Sequence, residues 1–153
     1  MVEDGANGVA GGAEGVGDAN GAVIAQFRSG GGRVGGAFQG VPLLLLHTTG
    51  LRSGRERINP LVFLPEGRNR VVIASAGGSP RHPAWFTNLM AAPRTTIEVA
   101  GPGGVDVVVV RARVASGAER ARLWERQVRV NAAVADHQRA AGRELPFVVL
   151  EPG

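Results

Sequence analysis

Apolar residues along this chain are grouped in short runs, and glycine, proline or charged residues separate one run from the next. In residues 42–49 the apolar side chains follow one another without alternation, which is typical of a strand covered on both faces. Turn-forming residues bound the other runs. The pattern predicts six strands, at Pro42–Thr49, Arg57–Leu64, Arg70–Ser75, Thr95–Ala100, Val105–Val114 and Phe147–Leu150.

Helical spacing is present in three other segments, which are Asn20–Arg28, Pro83–Ala92 and Ser116–Ala141. The first has apolar side chains on one face and is followed by glycines, which stop a helix. Proline suits the start of the second segment. The third opens with a capping box formed by Ser116 and Glu119, and we expect a break near Asn131.

The order of these elements bears on the fold class. Six strands with short connections leave few strand–helix–strand crossovers, so most neighbouring strands are expected to be antiparallel. A small barrel or strongly curled sheet of the α+β class, with inserted helices, fits this order better than a doubly wound sheet. Residues 1–19 are poor in large apolar groups, and we expect a flexible glycine-rich tail there. Residues 20–153 then form a single domain.

The charged residues are unevenly distributed along the chain. All 17 basic residues are arginine, against 13 acidic residues, for a formal net charge of +4. Residues 51–81 contain six arginines and two acidic residues, whereas residues 1–40 contain two arginines and four acidic residues. This basic patch indicates an anionic ligand. Nucleic acid is disfavoured, because only 5% of the residues are aromatic and no tyrosine is present to stack on bases.

Several kinds of site are excluded by the residues present. Without cysteine there is no disulfide, thiol nucleophile or zinc knuckle. The three histidines are too far apart in sequence for a clustered metal-ligand motif, and no metal is expected. A GxGxxG pattern at 30–35 follows a predicted helix rather than a strand, so we interpret it as a helix stop. With no long apolar run and no signal-peptide pattern, we expect a cytoplasmic protein; peripheral membrane contact and the oligomeric state stay open.

The densest group of charges lies between two predicted strands, in the stretch HTTGLRSGRERINPL at residues 47–61. Arg52, Arg55 and Arg57 offer planar forks of donors that suit phosphate or carboxylate groups, at roughly 1.5–3 kcal/mol for each charge-assisted hydrogen bond. Ser53 adds a neutral donor, and two glycines allow close approach to the backbone. A solvated hairpin tip is the alternative interpretation.

Three further features have both a structural and a functional interpretation. Ser75–Gly78 ends a strand in a polar loop, which is either a plain turn or a wall for a flat ring. Trp85 and Asn88 share one face of a helix, where tryptophan is more often a core residue than a ligand contact. Asn59 and Pro60 interrupt a predicted strand, which indicates an edge exposed to a ligand.

Three stretches, taken in order, resemble one family. They are PLLLLHTTGLRSGRERINPL, VVIASAGGSPRHPAWFTNLMAAPRTTIEV and RELPFVVLEP, and the resemblance covers about residues 20–152. The family is that of the deazaflavin (coenzyme F420)-dependent nitroreductases, oxidoreductases with a split β-barrel of the FMN-binding-like kind. The resemblance implies coenzyme F420, an 8-hydroxy-5-deazaflavin, as the cofactor.

The resemblance also implies a role for each matched residue. Arg52, Ser53 and Arg57 match the segment that grips the anionic tail of the cofactor. The other matches lie against the deazaflavin ring: Asn59 and Pro60 beside it, Ser75, Ala76 and Gly77 at the strand end, and Ala84, Trp85 and Asn88 on the helix that closes the pocket.

Some residues depart from the family pattern. Arg52 and Ala76 stand where the family often has lysine, so the second change removes a cation that would face the cofactor. Asn131, Val134 and His137 stand where a late helix of the family commonly carries tyrosines on the substrate side. Cofactor binding is therefore better supported than any particular substrate.

The implied activity is hydride transfer from reduced coenzyme F420 to a small, apolar, electron-poor acceptor such as a quinone, a nitroaromatic or an enone. The reducing chemistry then belongs to the cofactor, and the protein supplies binding, orientation and a proton. Ser75 and His137 are the candidate catalytic residues, since a hydroxyl can orient the reacting groups and histidine changes charge near neutral pH. The alternatives are an exposed surface histidine at 137, a non-catalytic carrier of the cofactor or a lipid-like ligand, and a split barrel that binds an ordinary flavin.

Overall fold

The computed structural model describes residues 17–153, with side chains from Asn20 onward. The flexible tail is predicted at residues 1–19, of which residues 1–16 lie outside the described part. Residues 17–19 already belong to the first helix. The helices are α1 (Gly17–Ser29), α2 (Ala84–Ala91), α3 (Gly117–Val130) and α4 (Ala133–Ala141). The strands are β1 (Leu43–Thr49), β2 (Glu56–Val62), β3 (Leu64–Glu66), β4 (Asn69–Ile73), β5 (Arg94–Gly101), β6 (Gly104–Val114) and β7 (Phe147–Pro152).

The strands of residues 17–153 form one antiparallel sheet in the order β2-β1-β5-β6-β7-β4-β3. Its two edge strands, β2 and β3, are separated in the chain by Phe63 alone. Cα atoms two residues apart lie within about 7 Å of each other, so the sheet has to curl until its edges meet. The result is the barrel expected from the sequence. It is split, because β2 is not hydrogen-bonded to β4 along the line where the edges meet.

The described residues form seven strands where the sequence predicts six, because the single strand predicted at 57–64 is divided. β2 pairs with β1 as far as Val62, which lies opposite Leu43. The N–H of Phe63 then donates to the Pro42 carbonyl at 3.1 Å, and Leu64 pairs with Val71 on β4 instead. One residue thus transfers the chain from one edge of the sheet to the other.

The strands have continuous apolar runs because both faces of the sheet are covered. Leu44 and Leu46 pack into the interior of the barrel, whereas Leu43 and Leu45 pack beneath α1. All four are at most 5% exposed, and burying each contributes roughly 1.5–3 kcal/mol. On the other side of the barrel, the outward side chains of β4 and β7 pack against α3 and α4. No helix within residues 17–153 is long and apolar enough to cross a membrane.

The helical stretch after β6 breaks where the sequence predicts. The Asn131 side-chain oxygen accepts a hydrogen bond from the Ala133 N–H at 3.0 Å, which starts α4. The capping box predicted at the start of α3 is wrong. Ser116 occupies the N-cap position without a side-chain cap bond, and Arg113 on β6 binds the Glu119 carboxylate at both oxygens instead.

A charged network ties α1 to the outer face of the sheet. Arg28 donates two hydrogen bonds to Glu98, at 3.0 and 2.7 Å. The His47 ring lies between two carboxylates, 2.6 Å from Glu98 and 2.7 Å from Glu56. Glu98 is only 6% exposed. The hydrogen bond from Arg28 lowers the pKa of Glu98, and the bond with His47 lowers it further, while burial opposes both.

We expect Glu98→Gln to reduce the free energy of unfolding at pH 7 by roughly 1.5–3 kcal/mol, because its charge-assisted bonds are lost. The pKa of Glu98 is lower in the folded protein than its ordinary value of 4.5. The stabilisation is therefore present above pH 4.5 and is lost as the pH falls through the folded pKa. Urea unfolding at several pH values should show wild type and variant converging in acid, with the exposed Glu125→Gln as control. A difference that stays constant down to pH 3 would contradict this.

Candidate active site

The β1–β2 turn is a compact loop built on Gly50. Its N–H donates to the Arg55 carbonyl and its carbonyl accepts from the Gly54 N–H, both at 2.9 Å, while the Ser53 hydroxyl accepts from the Arg55 N–H at 3.1 Å. A Cβ at Gly50 would lie 2.7 Å from the Ser53 hydroxyl oxygen and 3.4 Å from Nε of Arg57. Two of the predicted anion ligands therefore pack against the same glycine backbone.

The three arginines of this turn are exposed. Within residues 20–153, Arg52, Arg55 and Arg57 form no ion pair with an acidic side chain. Their donors are thus free for an anion, as a clamp on an anionic tail requires. A solvated hairpin tip has the same geometry, so the choice between the two interpretations depends on a ligand.

A buried contact connects the basic turn to α2. Arg57 lies opposite Thr48 in the β1–β2 ladder, and the Asn88 side-chain amide donates to the Thr48 hydroxyl at 3.4 Å. Trp85, one turn earlier on α2, is 3% exposed and packs in the barrel interior with Ala74. The core interpretation therefore accounts for most of the Trp85 surface, and its contact with a cofactor stays a prediction.

The turn after β4 contains two energetically unfavourable features next to each other. The Ser75 hydroxyl is buried and has no hydrogen-bond partner among the described residues, which costs about 1–3 kcal/mol. Ala76 has φ of 49°, in the left-handed region where a residue with a Cβ is strained. Gly77 and Gly78 follow, also with positive φ. Such costs concentrate at sites that bind a ligand, and this turn is the one matched to the ring-binding strand end.

Asn59 and Pro60 lie in β2, and the Ser75 turn follows β4. The ladder between β3 and β4 ends where Leu64 lies opposite Val71, and β2 is not paired with β4 within residues 17–153. Leu61 of β2 and Val72 of β4 both contribute to the core cluster inside the barrel. That the Ser75 turn and Asn59 bind the same ring stays a prediction. Pro60 is in the edge strand β2, where its missing N–H removes no ladder bond on the open side.

Helix α4 packs directly against this turn. A Cβ at Gly78 would lie 3.3 Å from Cβ of Ala140 and 3.5 Å from Cα of His137. The His137 backbone is thus next to the Ser75–Gly78 turn, and its role in catalysis stays a prediction. The other two positions matched to the family's tyrosines have structural roles, because Val134 is 5% exposed in the core and Asn131 caps α4.

A cleft of about 680 Å³ lies at the other end of the barrel. Its lining includes Leu43, Phe63 and Val99, together with the linker between α1 and β1. β1 is about 20 Å long and leads from Leu43 to the basic turn after Thr49, so the cleft is remote from that turn. The unpaired hydroxyl and the strained turn, rather than the size of a cavity, locate the candidate site.

One residue at this turn is given no role by the sequence analysis, although it opens the stretch RELPFVVLEP that carries part of the resemblance. Arg143 lies in the loop between α4 and β7, and its guanidinium contacts the backbone that follows β4. The resemblance marks Arg143 as part of the family pattern without indicating what it contacts. Only the folded chain brings it to the Ser75 turn.

Comparison with known sequences identifies the family. Residues 21–152 match the profile of a family described as F420H(2)-dependent quinone reductase. Two similar proteins are from Mycobacterium tuberculosis (strain ATCC 25618 / H37Rv). Rv3178 is 39% identical over 121 residues, which cover 78% of this chain and 98% of that protein. Rv1261c, named an F420H(2)-dependent quinone reductase, is 37% identical over 130 residues, with coverage of 82% and 85%.

A solved structure of an F420-H2 dependent reductase, FDR-A, has the same fold. It superposes with a TM-score of 0.62 at 32% sequence identity, covering 72% of this chain and 94% of that one. The split barrel expected from the sequence is thereby confirmed. The chain belongs to the F420H(2)-dependent quinone reductase family.

Proposed function

We propose that this chain transfers hydride from reduced coenzyme F420 to a small, apolar, electron-poor acceptor, with a quinone as the first candidate and nitroaromatics and enones as others. Membership of the family makes it an F420-dependent oxidoreductase. The observation that carries our assignment of the site is the buried Ser75 hydroxyl, which lacks a partner among the described residues and lies beside the strained Ala76.

The residues present fit coenzyme F420. Its tail is anionic, and Arg52 and Arg57 are exposed arginines without an acidic partner in the described side chains. Ser53 can donate its hydroxyl proton to the same tail. The ring is flat with a polar edge, and the small residues Ala76 and Gly77 leave room for it, while the Ser75 hydroxyl can meet the polar edge. With alanine at 76, the arginines proposed to contact the cofactor are all on the β1–β2 turn.

Each residue has a separate task in the proposed reaction. Bound reduced F420 supplies the hydride for a two-electron reduction. Arg52, Arg57 and Ser53 hold its tail, and Asn59, Pro60 and the Ser75–Gly77 turn orient its ring. On α2, Ala84 and Asn88 close the pocket, and Trp85 fills the barrel interior behind it, which keeps water out of that side.

The proton has to come from the protein or from water. Reduction of a quinone carbonyl or a nitro group by hydride leaves an oxyanion, which must be protonated or held by hydrogen-bond donors. Ser75 lies in the turn after β4, and His137 lies on the helix packed against that turn. We assign Ser75 to orienting the ring or acceptor and His137 to donating the proton.

Binding without turnover is the second candidate function. It is favoured by the structural roles of Asn131 and Val134, which leave the substrate side without the aromatic wall of the family. Anaerobic oxidation of reduced F420 by menadione, followed by absorbance, separates the two functions. We expect menadione-dependent oxidation of reduced F420 well above the rate without protein, and no binding when oxidised FMN is titrated in place of F420. Tight F420 binding with no oxidation by menadione, nitroaromatics or enones would establish the carrier instead.

We expect Arg57→Ala to weaken F420 binding tenfold or more, because one charge-assisted bond contributes about 1.4 kcal/mol or more. Arg52→Ala should have a smaller effect, since Arg57 is the arginine that packs on Gly50. Titration of F420 at low and moderate salt measures both. Arg68→Ala is the matched control, because this exposed arginine is in the β3–β4 hairpin turn. Equal F420 affinities for the wild type and the three variants would show that Arg52 and Arg57 do not bind the tail of the cofactor.

Ser75→Ala should have opposite effects on the stability of the unliganded protein and on its affinity for F420. Because the hydroxyl is buried and unpaired within the described residues, its removal should leave the melting temperature unchanged or raise it. The same change should weaken F420 binding roughly tenfold by removing the bond to the ring. Thermal unfolding without ligand and F420 titration test the two halves. A drop in melting temperature with unchanged affinity would give Ser75 a purely structural role.

His137→Ala should lower turnover at pH 7 by roughly tenfold or more, since general acid catalysis contributes at least this much, and leave F420 affinity nearly unchanged. Arg139→Ala, on the exposed side of α4, is the control. Steady-state kinetics with menadione between pH 6 and 9 provide the measurement. Full turnover of the variant across this range would make His137 a surface residue and leave the proton to Ser75 or water.

A further inference from the structure

The guanidinium of Arg143 is inserted into the loop that connects β4 to α2. Its Nε donates to the Ser79 carbonyl at 3.2 Å. Its Nη2 donates to the carbonyls of Arg81, Ala74 and Ser75, at 3.0, 3.3 and 3.4 Å. Four carbonyls of one loop, from Ala74 to Arg81, therefore converge on a single side chain.

This loop carries both walls of the proposed ring site. Ser75, Ala76 and Gly77 lie at its beginning, and α2 with Ala84, Trp85 and Asn88 follows its end. Between them the loop has few backbone bonds of its own, the Gly78 N–H to the Ser75 carbonyl at 2.9 Å and the Ser79 N–H to the Ala76 carbonyl at 3.2 Å.

The contacts of Arg143 extend to α2 through His82. Its Nη1 lies 3.1 Å from Nδ1 of His82, and the His82 ring packs on Phe86 of α2 with ring centroids 4.7 Å apart. Burial, and then the nearby charge of Arg143, lowers the pKa of His82, which keeps its ring neutral and able to accept this bond near pH 7. The same guanidinium thus touches the loop start, the loop end and the side chain that packs on α2.

The positive charge of Arg143 is stabilised by the backbone carbonyl groups to which the guanidinium donates. Within residues 20–153 it forms no ion pair with a carboxylate, and burial lowers its pKa, although arginine stays protonated in proteins. A planar guanidinium with five donors suits several carbonyls in one plane, which a lysine ammonium cannot reach together. An arginine that only linked two elements of the fold would need one hydrogen-bond partner on each element. Arg143 instead binds four carbonyls of a single loop.

We infer that Arg143 is a positioning residue for the F420 site: it holds the Ser75–Gly78 turn in its strained conformation and sets the distance between that turn and α2. The inference rests on the proposed function, because it takes the Ser75 turn and α2 as the two walls of the ring site. Arg143 acts through the loop and contacts neither cofactor nor acceptor itself. In its absence the turn relaxes, since the left-handed Ala76 and the buried hydroxyl both favour another conformation.

The test compares Arg143→Gln and Arg143→Lys with the control Arg139→Gln, an exposed arginine on α4 paired only with Asp136 among the described residues. Amide hydrogen exchange of the unliganded protein should be about tenfold faster at Gly78 and Ser79 in Arg143→Gln, with the β5–β6 amides unchanged. F420 affinity, measured well below the melting temperature, should fall about tenfold. Arg143→Lys should lose less on both measurements, since it keeps the charge and part of the donors.

Three results would overturn the inference. In the first, amide exchange in Arg143→Gln rises equally in the loop and the sheet, and F420 affinity below the melting temperature is normal. Arg143 would then stabilise the fold as a whole rather than the site. In the second, loop exchange in Arg143→Gln is identical to wild type, which would show that the loop keeps its conformation without Arg143. If the wild type itself binds no F420, the proposed function fails, whereas the exchange measurement still tests whether Arg143 holds the turn. If Arg57→Ala weakens binding and Arg143→Gln does not, the function stands and the inference fails.

Discussion

Because a single residue separates β2 from β3, the two edges of the sheet have to meet at Phe63, and this closure determines where the other elements lie. A curled sheet has one inner face, which the inward side chains of the strands and α2 fill. Its outer face is then too large for one helix, so α1 covers the β1 side and α3 with α4 cover the β4 side. The barrel stays split because no ladder joins β2 to β4 within residues 17–153.

The arginines of this protein fall into distinct classes according to what surrounds them. Arg28 and Arg113 bind carboxylates and fasten α1 and α3 to the sheet. Arg143 binds carbonyl oxygens of one loop, and the arginines of the β1–β2 turn extend into solvent. Composition alone assigns none of these roles, because all 17 basic residues are of the same type. What distinguishes them is the nearest acceptor, which is set by the fold, and a cluster without a nearby acceptor is the one that can bind an anion.

How far the sequence predicts this structure depends on whether the cause is local. The two neighbouring strands predicted at Thr95–Ala100 and Val105–Val114 and the break at Asn131 are confirmed, since turn residues and a side-chain cap act over a few positions. The division at Phe63 was missed, because an apolar run does not reveal that its two halves pair with different strands. The capping box is wrong because Glu119 has a stronger, non-local partner in Arg113. The site residues are predicted by resemblance alone. The burial of the Ser75 hydroxyl and the contacts of Arg143 with the loop after β4 become visible only in the folded chain.

The turn after β4 shows how stability and function are divided in this fold. Strain at Ala76 and an unpaired hydroxyl at Ser75 each destabilise the unliganded protein, so they persist only where other contacts hold the backbone in place. Arg143 supplies those contacts on one side and the close packing of Gly78 on α4 supplies them on the other. Because α4 packs on the turn through Ala140 and the His137 backbone, a larger side chain at Ala140 would displace the turn, whereas a change of the His137 side chain leaves its backbone contact in place. Asn131 and Val134 are used for the start of α4 and for the core, so neither supplies the aromatic wall that the family pattern has on this helix.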